Sequence, residues 1–475
     1  MIRIVASVLL TAFLAAPAGA QKSEPWATFR GNPQRTGNTD GQPGPQSPKV
    51  LWVHKSRDHN LSSPVILGNR LLITGLTGFN LGYINCLSTD PGAKERVVWS
   101  KTTPLLKLPT VSSPAVMGTS IVFGDGMHQT NGATLYCLDG TAGLPLWQHD
   151  VPGDLVHLES SATIVDGLAY IGGGNAGVLC LQADRATLGG KTLELPALKK
   201  AVEAGWVALK KKYEEERKKD PDTPPPNESE YPRGELKQVW QEGKDKWHVD
   251  APVAVVGDKV LAASTFLDLE KIGDRALYCL DAKSGKLQWR TPLKLNPWGG
   301  PAVAGDTIIL SGSTIGYYPQ QLKGAKGFVA AYNLADGKQK WYKPITGGVT
   351  SCAAVADGAA VVTATDGKVR AFELADGGRR WVYDAKAAMF APPAIAGGTV
   401  YAGDLNGVIH AIALGGAKQG EAVWTLDLGA NPMIQSPGMI YGGPVVHAGR
   451  LYVGTCNLEG TNARKDTVVV CIGEK

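Results

Sequence analysis

Residues 133–147 read ATLYCLDGTAGLPLW, and residues 276–289 read ALYCLDAKSGKLQW. Each stretch alternates apolar and polar residues, turns on Asp and Gly, and ends on a Trp. Period-2 alternation closed by an Asp/Gly turn is the signature of a β-hairpin. The pattern recurs at 328–341 (FVAAYNLADGKQKW) and at 369–381 (VRAFELADGGRRW). Two further short strands precede each copy. Ser112-Ser113-Pro114-Ala115-Val116 leads to Ile121-Val122-Phe123-Gly124, and Ala391-Pro392-Pro393-Ala394-Ile395 leads to Val400-Tyr401-Ala402-Gly403. The repeating unit therefore has four strands, here lettered A to D.

The D strand gives the count. Trp99, Trp147, Trp240, Trp289, Trp341, Trp381 and Trp424 each mark one copy. An eighth copy begins at Tyr441, runs to Cys471 near the C-terminus and has no D strand of its own. The missing strand stands near the other end, as Val50-Leu51-Trp52-Val53. Complementary partial copies at the two ends predict an all-β closed ring, an eight-bladed β-propeller whose last blade takes its outer strand from the N-terminal side. Closure removes the exposed end faces that an open array would leave. The eight D-strand Trp residues are read as structural, each ring packing between neighbouring blades with its N–H on an acceptor.

Composition agrees. Gly (59) and Pro (30) are abundant but short of the roughly 25–30% that signals low complexity, and they supply the many strand connections. Length alone suggests three domains; the repeat replaces them with one ring of roughly 46 residues per blade. The net charge of +5 is too small to suggest a nucleic-acid partner. Cys86, Cys137, Cys180, Cys279 and Cys471 all fall on strand C, at the place where other copies have Ala330, Ala371 or Ala411. Sheets pack about 10 Å apart, too far for a disulfide, so these five are expected as free buried thiols.

Two segments stand outside the repeat. Residues 1–20 combine Arg3, an apolar run over 4–16 and the small-residue end Ala18-Gly19-Ala20, which predicts a secretory signal peptide. The run is too short to span a bilayer, and no Cys follows for a lipid anchor. The mature protein is therefore expected to be periplasmic or secreted, with residues 21–48 as a leader and 49–475 as the propeller. Residues 185–234 interrupt blade three between strands C and D. There Leu198, Val202, Trp206, Leu209 and Tyr213 lie on one helix face, and the stretch DPDTPPP at 220–226 ends the helix. This insert is either a solvated decoration or a docking arm for a partner.

The C–D motif, as in LYCLDAKSGKLQW and AYNLADGKQKW, resembles the pyrroloquinoline-quinone (PQQ) repeat. Trp26-Ala27-Thr28-Phe29-Arg30-Gly31-Asn32-Pro33 with Arg35-Thr36-Gly37 resembles the leader of exported bacterial PQQ-like propellers. The resemblance covers the mature chain apart from the insert. It implies one of two roles: a quinoprotein dehydrogenase using PQQ and Ca2+ on alcohols or sugars, or a cofactor-free scaffold such as the lipoprotein of the outer-membrane barrel assembly machine. The alcohol-oxidising branch has adjacent cysteines beside the quinone. This sequence has no Cys-Cys pair and no C-x-x-C-H haem site.

The D-to-A and B-to-C connections of a propeller meet at one channel mouth. His157-x-Glu159 and His248-x-Asp250 precede strand A of blades three and four, and alternation puts each pair on one side. Imidazole with carboxylate suits a transition metal better than calcium; the plainer reading is a hydrogen-bonded rim. His59-Asn60, Asp125 and His128 fall on the same mouth. Trp298, Asn296, Tyr317 with Tyr318, and Trp247 are candidates for an aromatic and polar wall holding a cofactor. No Walker loop, G-x-S-x-G, H-E-x-x-H or EF-hand loop occurs. The sequence thus reads as a non-catalytic binding or scaffold module for a protein or small polar ligand, with no cofactor expected. The alternative is a quinoprotein or metal-dependent oxidoreductase, bringing PQQ with Ca2+ or another metal to the His/acid face.

Overall fold

The computed structural model describes residues 26–474 apart from 39–40, 129, 316–318, 323, 437, 459–462 and 464. The expected signal peptide and Tyr317 with Tyr318 lie outside the described residues. The strands form eight antiparallel A–B–C–D sheets, the blades of a propeller. Blade four shows the pattern: Ala254–Val256, Lys259–Leu267, Ile272–Asp281 and Leu287–Pro292. In blade eight, Val445–His447, Arg450–Gly454 and Thr467–Glu474 are completed by Pro48–Ser56 from the N-terminal side. The single α-helix among the described residues, Leu195–Arg217, lies in the blade-three insert.

The core sits between blades. Each buried apolar cluster joins two successive blades. One of them joins blade eight (Val445, Tyr452, Val469) to blade one (Ile66, Leu71, Ile73), closing the ring. The Trp motif builds these junctions. Directly across from each D-strand Trp on strand C stands a Cys or an Ala: Cys86 faces Trp99, Cys137 faces Trp147 and Cys471 faces Trp52. A small residue opposite makes room for the indole. In blade five the residue so placed is Ala331, not Ala330; the sequence alignment of that copy slips by one residue, which in a strand reverses the face. All seven cysteines are buried, and none is in a disulfide.

Seven of the eight indoles donate to a carbonyl of the following blade: Trp99 to Gly140 (3.0 Å), Trp147 to Ala183 (3.0 Å), Trp240 to Ala282 (2.9 Å), Trp289 to Leu334 (3.3 Å), Trp341 to Leu374 (3.0 Å), Trp381 to Leu414 (3.0 Å) and Trp424 to Pro45 (2.8 Å). At five of these rings a Gly of the next blade's C–D turn lies against the indole: Gly143 on Trp99, Gly285 on Trp240, Gly337 on Trp289, Gly377 on Trp341 and Gly420 on Trp381. A Cβ on Gly337, already at φ +68°, would come within 2.4 Å of Trp289. The Asp-Gly turn and the Trp are thus two halves of one clasp between blades. Trp52 is the exception: its buried N–H has no acceptor among the described residues, and Arg96 covers its ring at 4.3 Å instead.

The leader lies inside the ring. Every A strand is innermost, so its free edge turns backbone N–H groups into the channel, where an unpaired donor is costly. Leader carbonyls accept them in turn: Trp26 from Ile66, Ala27 from Val116, Pro33 from Val255, Gln34 from Val303, Thr36 from Val355 and Gly37 from Ile395. Blade three is held by Arg35, which donates to Ser161 O and the Thr163 hydroxyl as well as to Val253 O of blade four. Arg30 reaches Ala353 O of blade six and Pro393 O of blade seven. Burial pushes both guanidinium groups down, to about 10 for Arg30 and about 9 for Arg35, so both stay charged at neutral pH.

The insert folds back on the ring. A hairpin (Arg185–Leu188 with Lys191–Glu194) leads into the helix, whose Leu198 and Val202 join the cluster of blades two and three. Gly234 N–H donates to Leu146 O on the outer strand of blade two (2.9 Å), and Lys199 pairs with Asp139. Trp206 stacks on Tyr231 at 4.0 Å, fixing the returning segment to the helix. The insert therefore covers the outer edge of blade two.

Two stability outcomes follow. Trp381→Phe orphans the Leu414 carbonyl, whereas Trp52→Phe removes an N–H that has no partner. Urea unfolding followed by far-UV circular dichroism is expected to show Trp381→Phe destabilising by about 1–2 kcal/mol more than Trp52→Phe; equal losses would contradict the clasp. Arg35→Met removes a buried charge-assisted fan of bonds across blades three and four. It is expected to cost at least about 3 kcal/mol in the same assay, without rescue by Arg35→Lys, because a point ammonium cannot serve so many acceptors.

Candidate functional site

At one mouth of the channel the D-to-A connections of all eight blades converge on a funnel of about 440 Å³. That is within the size range of small-molecule sites, roughly 300–1,000 Å³. Its floor is Phe29 of the leader plug, and aromatic rings rise around it: Trp298 from blade five, Phe390 from blade seven and Tyr441 from blade eight. Phe390 and Tyr441 meet edge to face at 5.3 Å. Ser63, Ser113 and Ser161 line the lower wall. Their hydroxyls accept from the preceding blades: Gly443 N–H to Ser63 (2.7 Å), Ser63 N–H to Ser113 (3.0 Å) and Ser113 N–H to Ser161 (3.0 Å). Cys352 lines the funnel from blade six, with its thiol donating to Gly299 O. Burial pushes that thiol above its ordinary range.

The charged groups of the wall are acidic. Glu159 and Asp250 line the funnel with His128, and no Lys or Arg does so among the described residues. Arg30 and Arg35 belong to the plug: Arg30 gives both Nη atoms to blade carbonyls, and Arg35 divides its donors between blades three and four and Thr28 and Phe29 of the leader.

Behind Asp250 the two histidines meet. Nε2 of His157 lies 3.4 Å from Nε2 of His248, and Oδ1 of Asp250 lies 3.2 Å from the first and 3.0 Å from the second. Nδ1 of His157 is 3.6 Å from Oε1 of Glu159, and that same oxygen meets both the backbone N–H and, at 3.2 Å, Nδ1 of His128. Burial alone would push His157 down, but the charges of Glu159 and Asp250 outweigh it and hold the imidazole above its ordinary value. Burial would likewise raise Asp250, yet His248 and His157 hold it well below the carboxylate range.

A family model described as outer membrane protein assembly factor BamB matches residues 233–469. No curated protein matches the sequence. Among solved structures, BamB from Moraxella catarrhalis aligns with a TM-score of 0.54 at 14% identity, covering 89% of this chain and 97% of that one. Quinohemoprotein alcohol dehydrogenase from Comamonas testosteroni aligns at 0.63 and 11%, covering 96% and 82%. A europium-containing methanol dehydrogenase aligns at 0.63 and 10%, covering 95% and 98%. This chain has the β-propeller fold of these proteins.

In this propeller the sequence candidates separate. His157, Glu159, His248 and Asp250 come together, with His128 beside them. Trp298 lines the funnel and also a second cavity of about 430 Å³, with Phe266, Arg275 and Asn296. Asn296 spends its amide on Phe266 O (3.1 Å) and accepts from Phe266 N–H and Arg275. Trp247 stands apart from the funnel, stacked on Tyr278 at 3.9 Å within the apolar cluster of blades three and four. His59 and Asn60 bind Asn457 and Thr455 of blade eight and do not line the funnel. Sequence reading missed Phe29, Phe390 and Tyr441. Their one signal was position: each immediately precedes an A strand or lies in the leader.

Asp125 also leaves the mouth. It is fully buried, accepting from Thr134 N–H and the Tyr136 hydroxyl (2.8 Å), and burial pushes its carboxyl up to about 6. The folded state then holds this proton more tightly than the unfolded chain. Its contribution to stability is present below the ordinary carboxylate range and falls as pH rises to about 6. Asp125→Asn is expected to flatten that part of the stability–pH curve in urea titrations between the two values; an unchanged slope would contradict the assignment.

Proposed function

We propose that this propeller is an exported periplasmic binding module that holds a positively charged organic group in its funnel without turning it over. The carrying observation is the lining: Glu159 and Asp250 are its carboxylates, no Lys or Arg lines it among the described residues, and Phe29, Trp298, Phe390 and Tyr441 supply ring faces. Carboxylates with aromatic faces suit an ammonium group, through charge and cation–π attraction. The group is either a small ligand or a side chain presented by a protein partner, and the scaffold reading of the sequence becomes binding through this mouth.

The quinone of the dehydrogenase reading does not fit this wall. PQQ carries three carboxylates, and no Lys or Arg lines the funnel among the described residues to receive them; Glu159 and Asp250 could face the quinone only through a cation such as Ca2+. It also lacks the adjacent cysteine pair of the alcohol-oxidising branch, having Cys352 alone among its lining residues.

The test is titration calorimetry with choline, putrescine and a Lys-rich peptide, set against PQQ with Ca2+. Binding of a cation, weakened at least about tenfold by Glu159→Gln or Trp298→Ala, is the expected result, with no PQQ binding and no dye-linked alcohol or sugar oxidation. PQQ-dependent turnover would overturn the proposal.

A further inference from the structure

Three side chains from two neighbouring blades aim donor atoms at one point. Nε2 of His157, Nε2 of His248 and Oδ1 of Asp250 form a triangle with edges of 3.4, 3.2 and 3.0 Å. Both imidazoles are 1% exposed. With their protons on Nε2 both rings can donate to Oδ1 of Asp250; with the protons on Nδ1 instead, two nitrogen lone pairs and the carboxylate oxygen converge on one point, where a cation fits.

We infer that His157, His248 and Asp250 bind a divalent transition-metal ion, with zinc as the best fit. A tetrahedral ion with bonds of about 2.0–2.2 Å sets its ligand atoms about 3.2–3.6 Å apart, and the triangle comes close to that without rearrangement. Two imidazoles and one carboxylate are a three-protein-ligand set that leaves a fourth position for water or another ligand. Calcium asks for six or more oxygens, and here two of the three donors are nitrogen.

The surroundings are arranged for the same end. Oε1 of Glu159 stands 3.6 Å from Nδ1 of His157, beyond hydrogen-bond distance, and its negative charge favours a proton on that nitrogen and a lone pair on Nε2. Oδ2 of Asp250 accepts from the Thr265 hydroxyl (3.1 Å), which turns Oδ1 inward. The backbone leaves space: a Cβ on Gly174 (φ +56°) would lie 2.7 Å from Nε2 of His157, and one on Gly273 (φ +78°) would lie 2.9 Å from the His248 side chain. The pocket for the two rings is thus cut by glycines. The site shares Asp250 with the funnel wall, so an ion bound here leaves Glu159 as the carboxylate that faces a cation in the funnel.

The test uses the full mature chain, stripped with a chelator and titrated with Co2+. One ion per chain is expected, with the intense visible absorption of tetrahedral cobalt, and stoichiometric displacement by Zn2+. The His157→Gln/His248→Gln double variant is expected to lose the signal, Glu159→Gln to weaken binding about 10–100-fold, and His149→Gln, outside the cluster, to keep both. Weak octahedral cobalt absorption or substoichiometric binding in the wild-type chain would overturn the site. So would undiminished binding in the double variant. Were that variant not to fold, the wild-type spectrum and Asp250→Asn decide in the same way. Failure of the cobalt titration leaves choline or putrescine binding to Glu159 and Trp298 untouched, so the two proposals fail separately.

Discussion

A ring of four-stranded blades turns eight inner strand edges toward its own axis, and the N–H groups on those edges need acceptors. In this protein the leader meets that need for six of the eight blades. Six A-strand amides donate to carbonyls between Trp26 and Gly37, and two arginines reach the carbonyls of blades three, four, six and seven. The consequences spread outward. The plug ties non-adjacent blades to one short segment, complementing the clasps that join each blade to the next. Its Phe29 closes the channel and turns it into a funnel with a floor. A few residues later the same chain becomes the outer strand of blade eight. Centre and closure of the ring are therefore one continuous piece of N-terminal chain.

Much of the fold could be read from residues because its motif is local. Alternation placed strands C and D, the Asp-Gly turn joined them, and Trp counted the blades. The split of blade eight between Trp52 and Cys471 was visible because two incomplete copies complement each other. The place of Ala331 was misread by one residue because Ala330 and Ala331 are identical, and only pairing with Trp341 tells them apart. The plug was invisible as such. Its residues have no periodicity, and every contact that matters lies far along the chain, as from Arg30 to Pro393.

The site shows the same division. His157 with Glu159 and His248 with Asp250 were legible as i, i+2 pairs on a strand approach. That His157 and His248 meet each other is a property of neighbouring blades, which the blade order alone supplies. Trp298 lines the funnel while Trp247 stacks on Tyr278. Both precede A strands, so sequence position could not separate them; the side on which each ring turns is settled by packing. The acidic balance of the funnel was likewise hidden, because it depends on which charges are absent from one cavity of a chain with net charge +5.

The central claim is that residues 26–37 pair with the inner edges of the blades. Amide hydrogen exchange at Ile66, Val116, Val255, Val303, Val355 and Ile395, resolved by mass spectrometry with residue-level fragmentation, tests it directly. The account predicts that all six exchange only through near-global opening, with protection matching the central B strands. Exchange of these amides at rates typical of free sheet edges would contradict it.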